Sequence, residues 1–124
     1  MKTLFDGSIL IEHLRGEKRA TELLSTVSSE ERLASVLTRV ELEGGMRTAE
    51  RPQVAALMGV LQLVPVTDGI ARRAGEHIRR YRRSHQGIDL VDYVLAATAE
   101  LQGAELATLN IRHFPMFGRL RPPW

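Results

Sequence analysis

Thr3-Leu4-Phe5-Asp6-Gly7-Ser8-Ile9-Leu10-Ile11-Glu12-His13-Leu14 begins as a short apolar run, meets a carboxylate, and continues as an amphipathic stretch. The order reads as strand, acid, a tight turn at Gly7-Ser8, then helix. In an open parallel sheet ligands bind outside the carboxyl ends of the strands, which is where this order puts Asp6.

The rest of the chain repeats the alternation. A helical piece over 20–27 precedes a short strand at Arg32-Leu33-Ala34-Ser35 and a helix over 36–48. Pro52 suits the first turn of a helix that continues over 53–61. Leu63-Val64-Pro65-Val66 reads as a strand, and Thr67-Asp68 caps a long helix over 69–83. Asp89 is placed as the N-cap of a helix to Gln102, with Gly103 as its stop. A last strand over 104–108 leads into an irregular tail from Asn110 to Trp124. Strands alternating with helices predict a mostly parallel central sheet covered on both faces, a three-layer α/β/α sandwich. The chain, 124 residues with 44% hydrophobic content, fits one domain spanning 1–124. At that length about two-thirds of the unfolded surface can be buried without disulfides or a structural metal.

No apolar run approaches the roughly 20 residues of a membrane span, and Asp6, Gly7 and Glu12 interrupt any secretory leader. A soluble, cytoplasmic protein is expected, with no membrane partner. The absence of cysteine excludes thiolate zinc sites, iron–sulfur clusters and cysteine nucleophiles. The positive charge is almost all arginine, Lys2 and Lys18 being the only lysines, and the pI is about 9.5. Arginine forks phosphate, so this usage permits a nucleic-acid partner; biased genome composition explains it equally well.

Two further acids stand in awkward positions. On the helix after Ser35, Leu37, Val40 and Gly44 form one stripe and Glu41 sits on its border, where leucine or alanine would suit a purely structural helix; a boundary glutamate reaching out to water is the alternative. Asp92 heads a row of small residues with Ala96 and Ala99, which lets its helix approach another backbone closely. It can equally serve as a second capping acid behind Asp89. Three carboxylates without matching bases call for a divalent cation. Asn110 follows the last strand and suits a turn or a polar ligand to water; His113 reads as a loop-packing histidine. The stretch 54–61 is apolar almost all round, so one side is core and the other is expected against a second subunit, with burial under the C-terminal tail as the alternative. On the long helix, Ile70, Ala74, Ile78 and Tyr81 share a face and Arg72, Arg79, Arg80 and Arg83 point away from it.

The segments LFDGSILIEHLRG at 4–16, SVLTRVELEGG at 35–45 and DLVDYVLAATAELQGAELATLNIRHF at 89–114 together resemble the PIN-domain nucleases, and among them the VapC-type toxins of bacterial toxin–antitoxin pairs. The resemblance covers nearly the whole chain. It carries the family's acids onto Asp6, Glu41 and Asp92 as metal ligands and catalytic residues, with Asn110 at the fourth site position and Ser8 at the small hydroxylated position after the first acid. It implies Mg²⁺ or Mn²⁺ as cofactor, endoribonuclease activity on structured RNA such as tRNA or rRNA with growth arrest, a VapB-like antitoxin partner and a homodimer. Gly7 stands where the family usually has Thr or Asn, and Asn110 where the wider fold often has Asp, which implies one ion held firmly and a second held poorly. A PIN module that binds RNA or a partner without cleaving, or a nuclease of RNA maturation outside a toxin pair, are the competing readings.

Overall fold

A computed structural model describes residues 1–124. Its order is β1 (Thr3–Phe5), α1 (Gly7–Leu14), α2 (Lys18–Ser25), β2 (Arg32–Ser35), α3 (Val36–Gly45), α4 (Arg51–Gly59), β3 (Gln62–Val64), α5 (Asp68–Tyr81), α6 (Leu90–Gln102) and β4 (Glu105–Ala107), with short 3-10 turns at Ser29–Glu31, Thr48–Glu50 and Ile111–His113. The four strands are all parallel in the order β3-β2-β1-β4.

Side chains alternate across a strand, so the sheet feeds two cores. Leu4, Leu33, Val64 and Leu106 join Ile70, Ala74 and the buried run from Tyr93 to Ala97 under α5 and α6. Phe5 and Ala34 face the other way, into a cluster with Ile9, Leu10, Leu24, Leu42, Val54 and Leu57 from α1 to α4. Two cores on opposite faces of one sheet make the expected three-layer sandwich.

Local signals set the element ends. Thr67 caps α5 by accepting the Ile70 N–H at 3.2 Å, and Ser35 caps α3 by accepting the Leu37 N–H at 3.1 Å. Gly103 takes the left-handed conformation (φ 62°) that ends α6 without a Cβ penalty. Arg32 turns inward, its Nε donating to the Leu24 and Val27 carbonyls at 2.9 and 2.8 Å, which fastens the end of α2 to the start of β2.

Three expectations are corrected. Gly7 and Ser8 form no separate turn, because Asp6 is followed directly by the first residues of α1. On α3 the buried residues are Thr38 and Leu42, while Val40 is 66% exposed. Of the expected stripe only Leu37 packs against a core, partly buried, while Val40 and Gly44 face outward; α3 lays Thr38 beside Gly7, 3.7 Å from where a Cβ there would stand. In the stretch 54–61 the large side chains Val54, Leu57, Met58 and Leu61 are all core, with Trp124 of the tail packed on the same cluster. What remains outside is Ala55, Ala56, Gly59 and Val60, so this stretch offers no broad apolar face for a second subunit.

Leu57→Ala is expected to lower stability by about 2–5 kcal/mol through the cavity it leaves, whereas Val60→Ala should change it by less than about 0.5 kcal/mol. Urea unfolding of both variants checks this; equal midpoints would place Leu57 outside the core.

Candidate active site

In the order β3-β2-β1-β4 the chain runs outward from β1 through β2 to β3 and later returns to the other side of β1 as β4. Such a reversal opens a crevice at the carboxyl ends of β1 and β4, and Asp6 and Thr108 are the residues that leave those two strands. Asp6 continues the ladder through its N–H to the Ala107 carbonyl at 2.9 Å and then caps α1 without spending its carboxylate on the helix N–H groups. That carboxylate is 5% exposed. Its Oδ2 accepts two hydroxyls, Thr108 Oγ1 at 2.6 Å and Ser8 Oγ at 2.9 Å. The hydroxyls are themselves aimed from the β4 exit, because the Asn110 N–H donates to Thr108 Oγ1 at 2.9 Å and the Leu109 N–H to Ser8 Oγ at 3.0 Å. Oδ1 is left out of this network.

Glu41, halfway along α3, reaches across the first turn of α1. Its Oε1 lies 3.4 Å from where a Cβ on Gly7 would be, so glycine leaves open ground beside this carboxylate. Burial raises its pKa above the ordinary glutamate value, and the nearby charges of Asp6, Asp92 and Asp89 raise it further. Asp92, in the first turn of α6, is 8% exposed. Burial pushes its carboxyl up; the Asp89 N–H and His113 pull it back, Asp6 and Asp89 oppose them, and it remains above the ordinary aspartate value. The expected acids are thus brought into one another's field from three separate elements, with Asp89 as a fourth contributor.

The capping reading of Asp92 is borne out. One oxygen, Oδ2, accepts the Asp89 N–H at 3.3 Å, as a capping acid does, and the same oxygen meets His113 Nδ1 at 3.0 Å. The loop-packing reading of His113 is therefore corrected: its acidic partner lies 21 positions earlier in sequence and is supplied by the fold. Nothing in local spacing could have found that pair. Thr108 was equally silent, read as the end of a strand. Asn110 stands at the mouth of the same crevice, exposed, and its hydrogen bond in this network is made by its backbone and not by its amide.

No three His, Asp or Glu side chains converge on one point as they lie. The donor set nevertheless suits a hard cation: carboxylate oxygens from three elements, Glu41 and Asp92 raised by burial first and by their acidic neighbours after it, and one oxygen each of Asp6 and Asp92 tied back by protein donors. Mg²⁺ is usually held by one or two carboxylates while keeping several waters, which such an open arrangement suits better than a closed cage.

Residues 3–119 match the PIN domain family. Ribonuclease VapC10 of Mycobacterium tuberculosis (strain H37Rv) is 52% identical over 122 residues, covering 98% of this chain and 92% of that protein. Ribonuclease VapC19 of the same strain is 47% identical over 123 residues, 98% of each. Among solved structures, a toxin–antitoxin complex from Klebsiella pneumoniae contains a chain that superposes with a TM-score of 0.82 at 24% identity, over 99% of this chain and 98% of that one. VapBC2 from Rickettsia felis, bound to a DNA fragment from its promoter, gives a TM-score of 0.80 at 18% identity over 94% and 92%. The acids gathered at the β1–β4 crevice are thus those of a sequence that follows the PIN domain family over nearly its whole length, and the chain belongs to that family.

Proposed function

We propose that this protein is a metal-dependent endoribonuclease, the toxin of a toxin–antitoxin pair, acting on structured RNA in the cytoplasm. The observation that carries the reading is the gathering of Asp6, Glu41 and Asp92 at the sheet's switch point: burial, with the neighbouring acids, raises Glu41 and Asp92 above the ordinary carboxylate values, and His113, on Asp92, is the one basic side chain within salt-bridge distance of any of the three. The names of the relatives, ribonucleases at 52% and 47% identity, support the chemistry.

Asp6, Glu41 and Asp92 would hold Mg²⁺ or Mn²⁺. Such an ion, when bound, supplies Lewis-acid activation of water and neutralises charge on a phosphodiester. The residues of this chain supply placement. Ser8 and Thr108 fix the Asp6 carboxylate through Oδ2 and leave Oδ1 without a protein donor. His113 and the Asp89 N–H do the same for Asp92. Partners that orient ligands in this way typically contribute 10–100-fold to metal affinity or activity. Asn110, at the rim, is positioned to offer an uncharged polar contact to substrate. The antitoxin follows from the neighbours that are toxin–antitoxin complexes. An acidic crevice lacking its cation attracts a guanidinium or ammonium, and a bidentate arginine pair adds directional hydrogen bonds.

Cleavage of a structured RNA is expected in Mg²⁺ or Mn²⁺, and EDTA should stop it. Asp6→Asn should reduce the rate by roughly a hundredfold or more with the fold intact, the scale of losing one electrostatic contact to the transition state. A gel assay in both conditions decides; full, chelator-insensitive cleavage by Asp6→Asn would overturn the metal reading.

The raised carboxyl of Glu41 has a consequence for stability. An acid whose pKa is higher folded than unfolded costs stability once it is ionised, so the cost is absent below the ordinary glutamate range and present in full above the raised value. Metal-free Glu41→Gln should therefore melt higher than wild type near neutral pH, by roughly 1–3 °C given the partial solvent screening of this side chain, and the gap should close as pH falls into the ordinary carboxylate range. Thermal melts by circular dichroism across pH test the sign; a variant less stable at neutral pH would refute it.

A cognate antitoxin segment carrying an Arg or Lys is expected to compete with Mg²⁺ and to lose affinity when Asp6 or Asp92 is neutralised. Calorimetric titration with and without metal reads both effects. Affinity indifferent to metal and to both substitutions would put the inhibitor elsewhere on the surface.

A further inference from the structure

The acidic crevice repels a phosphodiester, so a polyanionic substrate needs cations near it that are not already spent. Most of the ion pairs in this protein are local. Among arginines, Arg15, Arg19, Arg39, Arg47 and Arg73 lie within 4.0 Å of a carboxylate. Arg73 is fully engaged: it bridges Glu76 and Glu100 at 2.9 Å each, and Glu100 also pairs with buried His77. Burial works against the Glu100 charge, but Arg73 and His77 hold its pKa below the ordinary value. Apart from Arg72, exposed and without a carboxylate partner, the inner part of α5 is thus electrostatically closed.

Its far end is not. Arg79, Arg80, Arg82 and Arg83 fall within five positions, all four are exposed, and none has a carboxylate partner. Arg79 and Arg80 in the last turn gain from the helix dipole, which accounts for two cations at this place. It does not account for Arg82 and Arg83 beyond it, where each added charge repels the others. Aromatic rings are interleaved: the Arg80 guanidinium lies 5.5 Å from the Tyr81 ring centroid, and the Tyr81 and His85 rings meet edge to face at 5.5 Å. Guanidinium planes and exposed ring edges together suit splayed nucleotides as well as phosphates. The cluster is also joined to the acidic helix by a short turn. The turn after α5, closed by the His85 N–H on the Tyr81 carbonyl at 2.8 Å and by Gly87 at φ 87°, leads straight to Asp89. Arg82 and His85 line one cleft, about 390 Å³, with Leu90 and Tyr93, the residues either side of the Asp92 turn.

We propose that Arg79, Arg80, Arg82 and Arg83 form the RNA-holding surface of this protein, taking the backbone of the strand whose scissile phosphate enters the crevice. The assignment rests on the nuclease reading for its choice of polyanion, and an acidic segment of a protein partner is the competing occupant.

Binding can be measured apart from cleavage. In the Asp6→Asn background with EDTA, a fluorescein-labelled 20-nucleotide RNA hairpin and its single-stranded counterpart are titrated by anisotropy over a series of salt concentrations. Replacing the four arginines by glutamine should weaken binding by roughly tenfold or more at moderate salt and lower the slope of log K against log salt by roughly 0.7 for each phosphate contact removed, whereas an Arg→Lys set should keep most of the slope. Antitoxin affinity should be unchanged. RNA affinity and slope equal to the parent would overturn the proposal, as would loss of antitoxin binding with RNA binding intact, which would make this the partner's surface. Should the fourfold glutamine variant melt early, Arg82→Gln with Arg83→Gln, beyond the end of α5, carries the same comparison. Because metal and catalysis are absent from the assay, failure of the nuclease reading would show in the cleavage experiment and failure of this assignment in the salt slope.

Discussion

The structure is organised around holding like charges close together at the end of a parallel sheet. Asp6 is buried at the exit of β1, where its carboxylate would be costly without donors, and the two hydroxyls from Ser8 and Thr108 are what make it tolerable. Ser8 is local, two positions on at the start of α1, but the Thr108 donor exists only because β4 lies beside β1 in the order β3-β2-β1-β4, so that residues more than a hundred positions apart share one crevice. The sheet order therefore acts on the chemistry directly: another strand beside β1 would leave the acid with one donor of its two.

The segment leaving β4 grips two acids at once. Thr108 holds Asp6; five residues later His113 holds Asp92; between them the Asn110 N–H and carbonyl lock the turn, the first to Thr108 Oγ1 and the second to the His113 N–H, each at 2.9 Å. A short rigid turn thus sets the spacing between acids on β1 and α6, elements that are otherwise free to settle according to their cores. Glu41 has no such clamp. It is positioned only by the rotation of α3 and by the room Gly7 leaves, and its raised pKa records what it gives up there.

How much of this could be read from the chain depended on range. Strand-to-helix transitions, the caps at Thr67 and Asp89 and the stop at Gly103 rest on chemistry within four residues, and the expected elements match the observed ones to within about two residues at most ends. Asp6 and Asp92 were legible as acids in packed positions, and both are buried, whereas Glu41 is exposed on α3 as a boundary glutamate is. The face of α3 was not legible. Periodicity places Val40 and Thr38 on competing stripes, and the choice falls to Thr38 through packing against α1, which no pattern within α3 encodes. The reading of 54–61 failed for a related reason: apolar character nearly all round a helix does not say which large residues already have partners, and Trp124, far away in sequence, covers part of that cluster.

His113 and the arginines after α5 mark the same limit from the side of charge. A histidine gains meaning from the acid it meets, and an arginine from the acid it does not meet. Of the arginines on and just beyond α5, Arg73 is spent on Glu76 and Glu100, whereas Arg72 and the four from Arg79 to Arg83 are not. The net charge of +2 conceals this division, since most acids are paired locally or gathered in the crevice. What a negatively charged ligand meets is therefore not a mildly basic protein but an acidic cleft bordered by a free basic edge, a juxtaposition in which the edge draws the backbone in and the cleft admits a phosphate once a cation has neutralised it.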